Sequence, residues 1–205
     1  MARIHPRSPP MIDGRISQYS SSEREIFTVW MKSLVISSNG CTVYSSKGEV
    51  VFRVDNYQTR RSSEVLLMGS NGEVLFSIKR KKLLTFGRWE GRKLVNSRFE
   101  KEGEWFRVKR KCKLLRRGRI TCHVILGCNK TKTSCYKIVG FKGKSTLKIM
   151  DRESRVLAQV MQKQSMMGVG VCFGDDVLSL MVEPHVDHSL IMALIIVYGM
   201  INNKL

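Results

Sequence analysis

Leu190-Ile191-Met192-Ala193-Leu194-Ile195-Ile196-Val197-Tyr198-Gly199-Met200-Ile201, close to the end of a 205-residue chain, is the stretch whose reading decides the fold. It holds no charge, and its twelve residues are too few to cross a bilayer, which takes about twenty. Glu183-Pro184 closes the segment before it, because proline has no N–H to give to a strand ladder. Asp187 then stands where a helix N-cap belongs, with a carboxylate that can accept from the open amides of the first turn. The alternative is a strongly buried last strand, which Ile195, Ile196 and Val197 would tolerate. The cap and the length favour a helix. A helix apolar on every side must be enclosed by lipid or by protein. Its length points to protein.

The chain ahead of that run supplies the enclosure. Val50, Phe52 and Val54 share one face by the period of two, after a turn at Lys47-Gly48. Val65–Met68 and Glu73–Ile78 flank Gly69-Ser-Asn71-Gly72, a hairpin signal. Leu147–Met150 and Arg155–Val160 flank Asp151-Arg-Glu-Ser154 in the same way. Further strands are expected at Phe106–Leu114, Ile120–Leu126, Tyr136–Phe141, Val169–Phe173 and Val177–Val182. Recurrent hairpins without intervening helical segments exclude a parallel βαβ sheet and predict an antiparallel barrel or sandwich.

The apolar fraction of 42% suits one globular domain, expected over residues 25–205. Residues 1–24, polar and proline-bearing as far as Ser20-Ser21-Ser22, read as a flexible arm. No apolar core of signal-peptide type lies in Met1–Met11. The six cysteines show no C-x-x-C pair, so the expected setting is intracellular and reducing, cytoplasmic or nuclear.

Several motifs together carry a resemblance. Gly48-Glu-Val-Val-Phe-Arg-Val-Asp-Asn-Tyr57, Gly72-Glu-Val-Leu-Phe-Ser-Ile-Lys-Arg-Lys81 with Trp89, Asp151-Arg-Glu-Ser-Arg155, Gly174-Asp-Asp-Val177 and Ile191-Met-Ala-Leu194 occur in order over nearly the whole chain. In this they resemble the plant LURP-one-related proteins. The resemblance implies a mainly β, tubby-like fold: a closed antiparallel barrel of about twelve strands around a hydrophobic C-terminal helix. It also implies kinship with phospholipid scramblases and with tubby proteins, membrane-tethered transcription regulators that bind phosphoinositides. Family members were first noticed through induction in plant defence, and no enzymatic activity is established for them. Met68-Gly69-Ser70, His185, His188 and Ser189 depart from the family pattern. Tubby's lipid-contacting residues have no matching motif here.

Thirty-six Lys and Arg against seventeen Asp and Glu leave a formal charge of +19, which biases partners toward anions. Lys79 to Arg119 alone holds seventeen of the bases and four acids. The candidate anion- or lipid-binding residues are Lys79, Arg80, Lys81 and Lys82, then Arg107, Lys109, Lys111 and Lys113, then Arg116 and Arg117. On a strand, Arg107, Lys109, Lys111 and Lys113 share one face while Phe106, Val108, Arg110, Cys112 and Leu114 share the other, mainly apolar one. At roughly 1 kcal/mol per basic residue near an anionic leaflet, four are worth about 4 kcal/mol, roughly a thousandfold. The expected partner is an anionic membrane lipid, a phosphoinositide foremost, with the protein peripheral at the plasma membrane. Nucleic acid ranks second, with Trp89 or Trp105 as stacking residues, and a protein partner or a charge that only solubilises remain alternatives. A monomer without a transmembrane segment is expected.

Catalytic and metal motifs fail on spacing. Gly143-Lys144-Ser145 resembles the end of a P-loop, but Ile138 stands where its first glycine is needed. Gly168, Gly170 and Gly174 are misspaced for a dinucleotide fingerprint, and no nucleophile elbow is present. Neither Cys122, His123, Cys128 and Cys135 nor His185, Asp187 and His188 have zinc spacing. His185 and His188 read as satisfied loop histidines beside a capped helix. The reading is therefore no enzyme, no cofactor and no metal.

Overall fold

A computed structural model describes residues 18–31, 40–56, 64–81, 88–95, 98–99, 105–110, 118–127, 135–163 and 176–202. The strands are β1 (Glu25–Trp30), β2 (Gly40–Tyr44), β3 (Val50–Asn56), β4 (Glu64–Gly69), β5 (Val74–Lys81), β6 (Arg88–Val95) and the two-residue β7 (Arg98–Phe99). They continue with β8 (Phe106–Arg110), β9 (Arg119–Leu126), β10 (Tyr136–Phe141), β11 (Leu147–Met150), β12 (Val156–Gln162) and β13 (Val177–Val182), followed by helix α1 (His188–Ile201).

Leaving aside β7, which pairs only with β6, each strand lies antiparallel beside its neighbours in chain order. β13 returns to pair with β1, and β5 pairs with β6 across the remaining gap. The result is a closed barrel of twelve antiparallel strands. Closure leaves no sheet edge open. It also gives the strands two chemically distinct faces. β9 shows the rule: Ile120, Cys122, Val124 and Leu126 are buried, and the residues between them are not. β13 repeats it with Leu178, Leu180 and Val182.

Inside runs α1. His188 through Gly199 are all buried, so the helix has no solvent face. Asp187 caps it, accepting from the Leu190 amide at 3.1 Å and from the Ser189 hydroxyl at 2.5 Å. The helix starts two residues before Leu190, because those two residues complete the first turn that Asp187 caps. At its far end Asn202 gives its amide to the carbonyls of Tyr198 and Gly199. Two glycines mark close approaches inside the barrel. A Cβ on Gly91 would overlap the Phe106 ring, and one on Gly140 would overlap the Tyr198 hydroxyl.

Of the arm expected over residues 1–24, residues 18–24 are described, and they are fastened to the barrel. The Tyr19 carbonyl accepts from the His188 amide at 2.8 Å and the Ser21 carbonyl from His185 at 2.7 Å. The Tyr19 ring packs on Phe52, its hydroxyl donates to Glu73 at 2.7 Å, and Arg24 pairs with Glu183 at 3.0 Å. The segment supplies carbonyl acceptors to one amide just before the helix and to the helix's first amide, a use that composition does not reveal. The strand expected at Phe106–Leu114 runs only to Arg110 among the described residues, and the one expected at Val169–Phe173 lies outside them.

Candidate functional site

The pairing of β5, β6, β8, β9 and β10 places the basic residues in register. Lys81 faces Arg88, Arg88 faces Lys109, Lys109 faces His123 and His123 faces Lys137. Directly opposed residues point to the same side of a sheet, and this side is the outside. Phe106 and Val108 are buried on β8, whereas Arg107 is half-buried and Lys109 exposed. One row of four bases and a histidine thus crosses the barrel wall.

Two residues along the strands runs a different row: Glu64, Lys79, Glu90 and Arg107. Its signs alternate. Lys79 pairs with Glu64 at 3.0 Å, and Glu90, only 5% exposed, forms an ion pair with Arg88. Burial works against the charged form of Glu64, but hydrogen bonds from Ser77 and Lys79 outweigh it and hold the carboxyl below its ordinary value. Lys79 is therefore neutralised within the wall.

Charge is also sorted along the barrel axis. The C-terminal end of α1 lies at the end of the barrel where β5, β8 and β10 finish and β6, β9 and β11 begin. There Arg80, Lys81, Lys109, Arg110, Arg119, Lys142 and Lys144 are all exposed. Among the described residues no carboxylate pairs with any of these seven. Arg80 sits over the Trp89 ring, 5.4 Å from its centroid. The opposite end holds several ion pairs: Arg24 with Glu183, Arg155 with Asp151 at 2.6 Å, and Lys93 with Asp187 at 3.9 Å. Burial opposes ionisation of Asp151 too, yet bonds from the Arg155 side chain and backbone keep its carboxyl low. Exposed, unpaired cations gathered at one end attract multivalent anions and orient the molecule toward them.

The sequence profile of the LURP-one-related family matches residues 25–199, from the first residue of β1 to the last turn of α1. The chain belongs to the LURP-one-related family. It is 40% identical to LURP-one-related 3 of Arabidopsis thaliana, with all of this chain and 94% of that protein covered. LURP-one-related 11 of the same plant is 41% identical, covering 98% of this chain and 89% of the relative. An X-ray structure of an Arabidopsis thaliana protein superposes with a TM-score of 0.64 at 17% identity, over 90% of this chain and 94% of that one. That likeness is one of fold.

Within this LURP-one-related barrel, Lys79, Arg80 and Lys81 lie on β5 and Arg107 and Lys109 on β8, with β6 between them. Lys82, Lys111, Lys113, Arg116 and Arg117 lie outside the described residues. Sequence reasoning did not single out Arg88, Arg110, Lys142 or Lys144 as anion-binding candidates, and it counted Arg119 only within the basic stretch that starts at Lys79. Gly143-Lys144, dismissed as a P-loop remnant, is a turn between two strands at the basic end. A cation on each side of a turn glycine was the available signal.

Trp89 is buried, so it cannot stack on a base, and Trp105 packs on Phe76 at the other end of the barrel. No grouping of His, Cys, Asp or Glu among the described residues could hold a metal. Cys122 faces inward while His123 does not, and burial pushes the Cys122 thiol up to about 12. His188 is the first residue of α1 and lies buried against the Phe27 ring. Its Nε2 has no hydrogen-bond partner among the described residues, so it is not the satisfied loop histidine expected. No helix among the described residues is long and apolar enough to cross a membrane.

Proposed function

We propose that the protein is a non-enzymatic binding module that docks its basic end on an anionic membrane leaflet, phosphoinositide-bearing membrane foremost, as a peripheral monomer. The observation that carries this reading is the collection of seven exposed cations at one end with no carboxylate partner among the described residues. Three of them engaging at once contribute about 3 kcal/mol, more than about a hundredfold in partition. The barrel interior, where a substrate would otherwise sit, is occupied by the chain's own helix, which supports a binding role over catalysis. A role in plant defence, with tethering at the membrane controlling a regulatory partner, follows from the family resemblance.

Vesicle co-sedimentation at physiological salt tests it, comparing neutral, phosphatidylserine and phosphoinositide vesicles with a DNA competitor. Binding should require the anionic lipid and fall by about tenfold or more in Lys81→Glu/Lys109→Glu. Failure to sediment with any anionic vesicle removes the proposal. Displacement by DNA regardless of headgroup would favour the nuclear, nucleic-acid reading.

A further inference from the structure

Phe141 stands 49% exposed, one of three large apolar side chains on the described surface that are so open; the others are Ile26 and Met161. Only Phe141 is surrounded by cations. It faces Arg119 across the β9–β10 pair, and Lys142 and Lys144 follow it in the turn. Ile26, by contrast, sits beside Glu25 at the opposite end, where Arg24 is paired with Glu183.

The turn that carries Phe141 is braced from inside the barrel. The Phe141 carbonyl accepts from the Tyr198 hydroxyl at 3.0 Å and from the Lys144 amide at 3.1 Å. Asn202, the C-cap of α1, accepts from the Gly143 amide at 2.9 Å and donates to the Lys144 carbonyl at 2.7 Å. On the other side the Lys142 amide donates to the Gly118 carbonyl at 2.6 Å. Gly143 holds φ +75°, which a side chain would strain. The tip therefore keeps its shape when Phe141 meets a partner, and little entropy is lost on contact.

We propose that Phe141 is a wedge that enters the headgroup–acyl boundary of an anionic bilayer, while Arg119, Lys142 and Lys144 hold the surrounding lipid phosphates. The inference rests on the membrane reading above. An aromatic ring ringed by bases gains twice at such a boundary. The ring leaves water, and each base meets negative charge while its stem lies along apolar surface. An acidic groove on a protein would use the bases but would leave the ring without an apolar seat.

The full chain is compared with Phe141→Ala and Phe141→Trp on phosphatidylcholine vesicles containing phosphatidylserine or phosphatidylinositol bisphosphate. Phe141→Ala should keep its melting temperature and its affinity for soluble inositol hexakisphosphate. Its partition onto both anionic vesicles should drop by about threefold to tenfold. Phe141→Trp should show a blue-shifted emission on vesicle addition, beyond the wild-type response, that is quenched by lipids brominated high on the acyl chain. Unchanged partition of Phe141→Ala, or an unshifted Trp in a bound protein, overturns the wedge and leaves the membrane reading standing. An equal loss of the soluble ligand also overturns it, since Phe141 would then serve a headgroup site. If wild-type protein binds neither vesicle, both readings fall together.

Discussion

From His188 to Gly199 every residue of α1 is buried and only His188 can carry a charge near neutral pH, whereas the row Lys81, Arg88, Lys109, His123, Lys137 lies outside and contains no apolar residue. The two regions are separated by one layer of strand. Inside, each side chain is judged by shape and by the absence of unpaired charge, because no water reaches it. Outside, water screens the bases, so their number can grow with little effect on folding. The alternating row of Glu64, Lys79, Glu90 and Arg107 lies between these regimes, since its Glu90 is buried and must be paired. Conformational stability should therefore respond steeply to charge inside and weakly to charge outside.

Leu194→Asp is the most severe challenge to this contrast. It places a carboxylate in the middle of the enclosed helix, and a loss of more than about 4 kcal/mol should leave no folded barrel. Circular dichroism and a melting curve check this. A variant that folds normally and only loses membrane association would show that the helix is not enclosed.

Glu90→Ala comes next. It removes the buried partner of Arg88 and the neighbour of Arg107, and should cost about 2 kcal/mol in denaturant unfolding. A change within experimental error would mean that the alternating row does not need its neutrality.

Smaller still is the effect of pH on His188. Burial lowers its pKa from the ordinary 6.5, although Glu25 and Asp187 pull the other way. Between 6.5 and the lower folded value the unfolded chain binds more protons, so stability falls as pH falls through that window. A loss of stability is therefore expected on acidification, and His188→Phe, which keeps the ring against Phe27, should flatten it. An equally steep profile in that variant would assign the dependence to other groups.

The gentlest test is Lys81→Glu/Lys109→Glu. Both residues are exposed, so the unfolding free energy should move by less than about 0.5 kcal/mol even as vesicle binding collapses. A large loss of stability would make the row structural and blur the distinction between inside and outside.

Much of the inner region was legible residue by residue. Asp187 before an uncharged apolar run announces a capped, enclosed helix, and the alternation in Phe106–Arg110 or Arg119–Leu126 announces which side chains face it. These signals are local, arising from caps and periods that a few neighbouring residues complete. The outer region was legible only as a surplus of charge between Lys79 and Arg119. Which bases are neutralised was not, because Lys79 meets Glu64 and Arg88 meets Glu90 through strand register, and register depends on every hairpin in the barrel. The same holds for Phe141, Lys142 and Lys144, which join Arg119 only because β9 and β10 pair and α1 ends beneath their turn. By itself the sequence determined that a charge-free helix needs a β enclosure and that the whole is strongly basic. Only the tertiary structure decided where the unpaired charge collects, since Coulomb pairing is a matter of a few ångströms between residues far apart in the chain.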